Sequence, residues 1–204
     1  MSEKQDRFII LKKIKYGESD LIIHALSSQG SKFSFIARGA LKSKKRFGGG
    51  ILEPTHYVNL TYKEVTEEGK LRVLNEAILI DDFKAIRVEY EKLDFSLFAL
   101  NCASCVSQEG DMHSDFLFNL IGHTLRAAGT TKNIPLLKLH FCLKFLFQQG
   151  VVSIEDWMSP FLKVNISDHE KLTELDSISS LTETYLDSIE SLVLQYIKTA
   201  DPGF

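Results

Sequence analysis

The sequence predicts an α+β protein in two parts, a five-stranded antiparallel β-barrel over residues 1–80 and an all-helical domain over residues 81–204. Two observations predict this division. Before residue 81, short runs rich in β-branched and aromatic residues alternate with glycine-containing turns, a pattern typical of strands. After residue 81, apolar residues recur with the helical period over stretches that are too long for strands.

Five runs in the first part are predicted strands. They are Arg7–Ile14, Asp20–Ser27, Lys32–Arg38, His56–Lys63 and Lys70–Leu79. Turn signals separate them at Gly17, Gly30, the glycines 48–50 and Gly69. Apolar and polar residues alternate most clearly at 32–36 and 57–62, as in strands with one buried face. Closure into a small barrel would hide the sheet edges, and the long connection after the third run favours an OB-fold.

Four aromatic residues of the barrel have two interpretations. Phe33, Phe35, Phe47 and Tyr57 could present faces on which nucleic-acid bases stack. Alternating aromatic residues in a small barrel also form its core, and the spacing favours this second interpretation.

Four helices are predicted in the second part. They are Arg87–Ser107 with an apolar stripe of Tyr90, Leu93, Leu97 and Leu100, then Asp115–Ala128, then Ile134–Gln149, and a last helix with Leu181, Tyr185, Ile189, Leu192, Tyr196 and Ile197 on one face. The third is apolar on nearly all sides, so we expect it to be the central buried helix. Pro135 suits its first turn and Gly150 its end. Residues 151–180 are mixed in character and give no assignment.

The charges are distributed unevenly along the chain. Residues 1–80 carry 14 Lys and Arg against 9 Asp and Glu, whereas residues 81–204 carry 10 against 18. Such asymmetry is expected when one part of a protein binds a polyanion and the other has a different role. The sequence has no apolar run of membrane-spanning length and no secretory signal pattern, which predicts a cytoplasmic protein.

The strongest functional signal is the basic segment, residues 38–47, which holds five positive charges and no acid. Three glycines follow it, and the pattern predicts a mobile cationic loop. Such loops most often contact phosphates, because each neutralised phosphate releases condensed counterions. The alternative is a solvated loop without a partner. The predicted phosphate contacts are Arg38, Lys42, Lys44, Lys45 and Arg46, with Lys32 and Lys13 extending the track.

Signatures of catalysis and metal binding are missing from the sequence. It has no phosphate-binding Gly-x4-Gly-Lys-Ser/Thr loop, no His-Glu-x2-His and no Gly-x-Ser-x-Gly motif. Cys102 and Cys105 have the spacing of half a zinc site, but no second ligand pair follows, so we expect small residues packing a helix face. The sequence therefore predicts no catalytic residues, no cofactor and no metal, and the three cysteines are expected to be reduced thiols.

Several motifs together resemble the bacterial recombination protein RecO family. They are Tyr16-Gly17-Glu18-Ser19-Asp20-Leu21-Ile22, Gly30-Ser31-Lys32, Ala37-Arg38-Gly39-Ala40, Lys42-Ser43-Lys44-Lys45-Arg46-Phe47-Gly48 and Leu52-Glu53-Pro54, and later the Phe-rich run from Phe141 to Gly150. The resemblance implies an N-terminal OB-fold, a helical C-terminal domain and binding of single- and double-stranded DNA. It also implies strand annealing and, together with RecR, loading of RecA onto DNA coated by single-strand binding protein. A cytoplasmic, nucleoid-associated location follows from these roles.

The chain departs from that family in one place. Many RecO proteins carry a four-cysteine zinc module after the central helix, whereas no cysteine follows Gly150 here. Any role of that module, including a contribution to RecR binding, is therefore in doubt.

The resemblance also implies a peptide site on the helical domain, where the acidic, Phe-terminated tail of single-strand binding protein docks. A tail of this kind needs an apolar slot and a cation for its terminal carboxylate. The nearest equivalents are Leu136, Leu139 and Leu143 for the slot, and Lys138, His140 and Lys144 for the charge. The alternative is that the leucines are simply core.

Taken together, these features predict a DNA-binding recombination mediator without catalytic chemistry of its own. The alternative is a protein-interaction adaptor that uses the OB-fold and the helical domain as docking surfaces. A nuclease is a third possibility, disfavoured because the acidic residues that would hold a metal lie in the helical part.

Overall fold

The computed structural model describes residues 3–64, 71–109 and 115–200. The described residues form two compact units. The first consists of residues 1–83 with 107–119, and the second of residues 84–106 with 120–204. The first unit thus includes a segment, 107–119, that the predicted boundaries of 1–80 and 81–204 assign to the other part of the chain.

The first unit contains five strands that pair in a closed ring, which confirms the predicted number of strands. They are β1 (Glu3–Tyr16), β2 (Asp20–Ser27), β3 (Lys32–Ala37), β4 (Tyr57–Lys63) and β5 (Arg72–Asp81). The order around the barrel is β1-β2-β3-β5-β4, and β4 pairs back onto β1. The predicted turn at Gly69 and the start of the fifth run at Lys70 lie outside the described residues.

The sequence predicts a barrel that is antiparallel throughout, whereas the structure contains one parallel pair of strands. Strands β3 and β5 run parallel, with Phe35 opposite Arg72 and Ile36 opposite Val73. An odd number of strands cannot close a ring in which every neighbour is antiparallel, so one parallel pair is required.

Strand β1 is longer than predicted because it pairs along both edges. Its first half, from Glu3 to Ile9, pairs with β4, and the part from Phe8 to Tyr16 pairs with β2. The prediction missed Glu3–Asp6 because polar residues have weak strand propensity. Backbone pairing with β4 stabilises the strand at these residues. The register shifts between Ile10 and Lys12, which indicates a bulge at Leu11.

Aromatic rings fill the barrel interior. Phe8, Phe35 and Tyr62 pack edge to face, with ring centroids 5.2 to 6.0 Å apart. Phe33 stacks on Phe35 at 6.0 Å and is partly buried at the margin of this cluster. The alternation of residues 33–37 therefore orients aromatic side chains inward, as the core interpretation predicts.

The helical unit is built around a buried helix. Its helices are α1 (Tyr90–Val106), α2 (Asp115–Thr130, of which the turns after Asn119 belong to this unit), α3 (Ile134–Gln148), α4 (Ser159–Lys163) and α5 (Ile178–Ala200). Helix α3 contacts α1, α4 and α5, and nine of its fifteen residues are buried, so the predicted central helix is confirmed. The Asn133 side chain caps it by accepting from the Leu136 N–H at 3.0 Å, and Pro135 occupies its first turn.

The predicted apolar stripe of α1 is wrong at two of its four positions, since Leu100 is buried and Leu93 is partly buried. Tyr90 is 81% exposed and Leu97 is 44% exposed, whereas the buried face carries Phe95, Ala99 and Cys102. Ala99 and Cys102 are small, so the largest apolar residues of α1 do not by themselves mark its buried face.

Short 3₁₀ turns explain why residues 151–180 gave no assignment. Turns at Asp156–Met158 and Ile166–Glu174 flank the five-residue α4. Segments this short repeat no helical period, yet they bury Met158, Phe161 and Leu172. Across the described ranges, no helix is both long enough and apolar enough to span a membrane.

Candidate nucleic-acid interface

The basic segment lies in the connection between β3 and β4 and is anchored in the barrel core. Ala40 and Phe47 are 7% and 5% exposed and belong to the apolar cluster that contains Phe8 and Phe35. Leu52 adds a third anchor farther along the connection. The sequence predicts a mobile loop, whereas the structure shows a segment with a defined conformation, fixed by buried side chains on both sides of its lysines.

Hydrogen bonds tie the same segment to the turn between β1 and β2. The Gly39 N–H donates to Asp20 Oδ1 at 2.8 Å, and the Leu41 N–H donates to the Ser19 carbonyl at 3.0 Å. Gly39 has a φ of 66°, in the left-handed region that favours glycine. These contacts set the direction in which the chain enters the lysine-bearing part.

Three lysines occupy the exposed stretch between the anchors. Lys42, Lys44 and Lys45 are exposed, and none of them forms an ion pair with another described residue. Their charges are therefore not neutralised within the described part of the unit. An anchored loop that presents several uncompensated lysines is suited to a polyanion.

The two arginines of the segment brace it. Arg46 donates through Nη2 to the Arg38 carbonyl at 3.0 Å, and its guanidinium lies over the Phe47 ring at 5.1 Å from the centroid. The Arg46 carbonyl accepts from the Ala77 N–H of β5 at 3.3 Å. Arg38 and Arg46 are both exposed residues, so their side chains remain accessible to solvent. The hydrogen bond from Arg46 to the Arg38 carbonyl links the two ends of the lysine-bearing stretch.

The two outlying candidates differ in their surroundings. Lys13 on β1 forms an ion pair with Glu53 at 2.5 Å, so its charge is compensated. Lys32 lies at the start of β3, where it and Lys12 lower the pKa of the half-buried His24 after the larger effect of burial. Lys12 pairs with His24 across β1 and β2, and the sequence prediction did not include it.

The aromatic candidates separate by burial. Phe35 is fully buried and Phe47 nearly so, which removes both as stacking surfaces. Tyr57 packs against Phe118 at 5.8 Å. Phe33 is partly buried and lines an open pocket.

That pocket, about 620 Å³ in volume, is a feature that the sequence did not predict. It lies where β1 and β5 begin and β4 ends, next to the turn between β2 and β3. Its wall includes Arg72, whose guanidinium lies over the Phe33 ring at 4.3 Å and forms an ion pair with Glu109 at 2.6 Å. No local pattern could reveal it, because these three residues come from distant parts of the chain.

The residues predicted for a peptide site on α3 are mostly in the core. Leu136, Leu139 and Leu143 have no exposed surface and so form no surface slot. His140 is also fully buried, and its Nε2 donates to the Val164 carbonyl at 3.1 Å. This corrects the prediction of a peptide slot at these positions, and the physical reason is that α3 is surrounded by other helices.

The two lysines predicted beside that slot are engaged within the helical unit. Lys138 forms an ion pair with Glu190 at 2.5 Å and lies over the Phe98 ring at 4.9 Å. Lys144 donates to the Leu162 carbonyl at 2.7 Å, and burial lowers its pKa. Both cations link α3 to its neighbours.

The cysteines have the environment of packed apolar residues. Cys102, Cys105 and Cys142 are all buried and not disulfide-bonded, and burial raises the pKa of the Cys102 and Cys142 thiols. Within the ranges that the structure describes, no three His, Cys, Asp or Glu side chains come together as a metal site.

Comparison with known proteins adds to this geometry. Residues 1–83 match the family model described as Recombination protein O N terminal, which covers the whole barrel. A DNA repair protein RecO from Desulfosudis oleivorans is 28% identical over 179 residues, which is 88% of this chain and 65% of that protein. Another, from Desulfatibacillum aliphaticivorans, is 30% identical over 162 residues, which is 73% of this chain and 62% of that protein. The family model and these relatives show that the chain is similar to RecO proteins over the matched residues.

The RecO N-terminal domain is an OB-fold, in agreement with the five strands observed here. Similarity continues beyond the barrel, since the matched part of a Syntrophobacter fumaroxidans RecO covers 74% of this chain at 29% identity. The chain matches only 58 to 65% of the length of these three relatives.

Proposed function

We propose that this protein binds DNA in recombinational repair and acts as a mediator without catalytic chemistry of its own. The observation that carries the proposal is the set of three uncompensated lysines, Lys42, Lys44 and Lys45, held on an anchored loop of a RecO-type OB-fold. Phosphate contacts made by such a loop carry little sequence information, so DNA of any sequence would be bound.

The other basic residues have graded roles in this proposal. Arg38 and Arg46 flank the lysines and contact phosphates from the edges of the loop, while Lys32 extends the track along β3. Lys13 contributes least, because its partner Glu53 would have to be displaced first. Annealing would follow from neutralising the repulsion between two strands while their bases stay accessible.

The partners of the proposal come from the RecO family. They are single- and double-stranded DNA, RecR, single-strand binding protein through its C-terminal tail, and RecA indirectly through loading onto coated DNA. Docking of the acidic tail on the helical unit stays a prediction, without the three leucines that the structure assigns to the core.

The proposal is tested by reversing the charge of the three lysines together. Lys42→Glu, Lys44→Glu and Lys45→Glu should weaken binding to single- and double-stranded DNA alike. The slope of log affinity against log salt should fall by about one unit for each phosphate that the variant no longer neutralises. Fluorescence anisotropy with labelled oligonucleotides at several salt concentrations measures both quantities.

A matched control variant has the same change of net charge, but in the helical unit. Lys132, Lys163 and Lys198 are exposed lysines of the helical unit, and their replacement by Glu should leave the salt slope unchanged. Equal DNA binding by the folded loop variant and the wild type would overturn the proposal. Weak, salt-independent binding by the wild type itself would favour the adaptor alternative.

A further inference from the structure

The pocket at the end of the barrel is built from residues that do not belong to the basic segment. It is lined by Lys4, Gln5, Asp6, Gln29, Ser31, Phe33, Tyr62, Glu64 and Arg72. Its volume of about 620 Å³ lies in the range of small-molecule sites. A concave site with both aromatic and hydrogen-bonding walls is suited to a planar polar group.

Arg72 and Phe33 form a two-layer platform in the wall of this pocket. The guanidinium lies over the ring at 4.3 Å, and the ion pair with Glu109 at 2.6 Å fixes its orientation. The Arg72 Nε is buried and makes no hydrogen bond within the described residues. A fixed guanidinium plane stacks well on a nucleobase, because it combines a flat face with positive charge.

The charges of the pocket cancel, which argues against a phosphate as its ligand. Lys4 is paired with Glu64 at 2.7 Å, and Arg72 with Glu109. The Asp6 carboxylate accepts from the Arg7 N–H at 2.7 Å and from the Ser28 hydroxyl at 3.1 Å. An uncharged group would therefore be favoured over an anion, in contrast to the basic segment.

The amide side chains complete the chemistry. Gln5 and Gln29 are exposed residues on the pocket wall, and each offers both a donor and an acceptor. Donor and acceptor groups side by side match the edge of a nucleobase, whose own donors and acceptors are free only when the base is unpaired.

We propose that this pocket takes one unpaired nucleobase of single-stranded DNA, stacked on the Arg72 and Phe33 platform. The inference rests on the DNA binding proposed above and deepens it by giving the domain a preference for single strands. A duplex cannot supply the base, because its bases are paired and stacked inside the helix. The basic segment binds both forms of DNA, whereas the pocket distinguishes them.

The two sites are within reach of one short strand. Phe33 lies near the start of β3 and Arg38 directly after its end, a separation of about 17 Å along the strand. OB-folds engage roughly 4 to 16 nucleotides, so one oligonucleotide can contact both sites.

The test separates the pocket from the basic segment by strand type. Arg72→Lys removes the flat stacking partner and should lower single-strand affinity by about tenfold, since stacking of one base contributes about 1 to 3 kcal/mol. Gln5→Ala with Gln29→Ala removes hydrogen bonds to the base edge and should lower single-strand affinity severalfold, since each such bond contributes about 0.5 to 1.5 kcal/mol. Duplex affinity and the salt slope should stay at wild-type values, because every phosphate-binding side chain is retained. The control is Gln148→Ala with Gln195→Ala, two exposed glutamines of the helical unit, which should change neither affinity.

A second measurement tests the position of the base directly. A single-stranded oligonucleotide containing 4-thiothymidine should crosslink on irradiation to peptides that contain Phe33 or Tyr62, and mass spectrometry identifies them. Crosslinks confined to the basic segment would overturn the proposal. So would glutamine variants that bind single strands like the wild type, while salt-dependent DNA binding itself persists. Absence of DNA binding by the wild type would instead refute both proposals together.

Discussion

His140 and His169 are two buried histidines that lie next to each other in the helical unit. Their ring centroids are 6.0 Å apart, and each Nδ1 is buried without a hydrogen-bond partner among the described residues. Burial lowers the pKa of His140 to about 3, with His169 and Lys144 adding smaller effects in the same direction. Burial also lowers the pKa of His169, against a smaller opposing effect of Glu170. Both rings are therefore neutral in the folded protein at neutral pH.

These two residues predict how stability depends on pH. The unfolded chain binds protons at these histidines below about pH 6.5, while folded His140 does not until about pH 3, so stability falls as the pH is lowered through this window. The loss from one such histidine approaches about 1.4 kcal/mol per pH unit. His140→Gln should flatten the dependence in urea denaturation between pH 7 and 5, and the exposed His123→Gln should not. An unchanged slope in His140→Gln would contradict this account.

Helix α3 shows how one element joins local signals to tertiary packing. Asn133 caps it, Pro135 occupies the first turn, and almost every side chain after them is buried. Two predictions compete for α3, because its apolar character predicts a central helix whereas the resemblance to the RecO family implies a peptide slot. Only the contacts with the surrounding helices decide between them, and those contacts assign Leu136, Leu139 and Leu143 to the core.

The cap of α3 gives a prediction with an internal control. Asn133→Ala removes the acceptor of the Leu136 N–H and should lower the free energy of unfolding by about 1 kcal/mol. Asn165 precedes the 3₁₀ turn Ile166–Glu174, but its side chain makes no capping hydrogen bond. Asn165→Ala should therefore change stability by less than about 0.5 kcal/mol. Equal losses in the two variants, measured by urea denaturation, would show that the cap contributes nothing specific.

For the whole molecule, the sequence predicts features formed by neighbouring residues and misses sites formed by residues that are distant in sequence. The alternation around Phe33 and Phe35 predicts a strand with inward aromatic residues, and the structure agrees. The sequence predicts the basic segment because its charged residues are close together in the chain. The sequence does not predict the pocket, because Arg72, Phe33 and Glu109 come into contact only in the folded chain.

Residues 107–109 and 115–119 are the clearest case of such assembly, because they contact the strands of the barrel unit although they lie far from them in sequence. The Lys32 N–H donates to the Gln108 carbonyl at 3.1 Å, and Arg72 is paired with Glu109 at 2.6 Å. Phe118 packs against Tyr57 at 5.8 Å. A chain that ends at residue 83 therefore leaves Arg72 without the partner that fixes its orientation.

This dependence predicts rescue by a peptide. A fragment of residues 1–83 should unfold at a higher urea concentration when a synthetic peptide of residues 107–119 is added, because a ligand that binds only the folded state stabilises it by mass action. The shift should grow with peptide concentration. A peptide carrying Glu109→Ala and Phe118→Ala cannot form the ion pair or the ring packing, so it should shift the midpoint much less at the same concentration. If both peptides shift the midpoint equally, or neither does at millimolar concentration, these interactions do not stabilise the barrel unit.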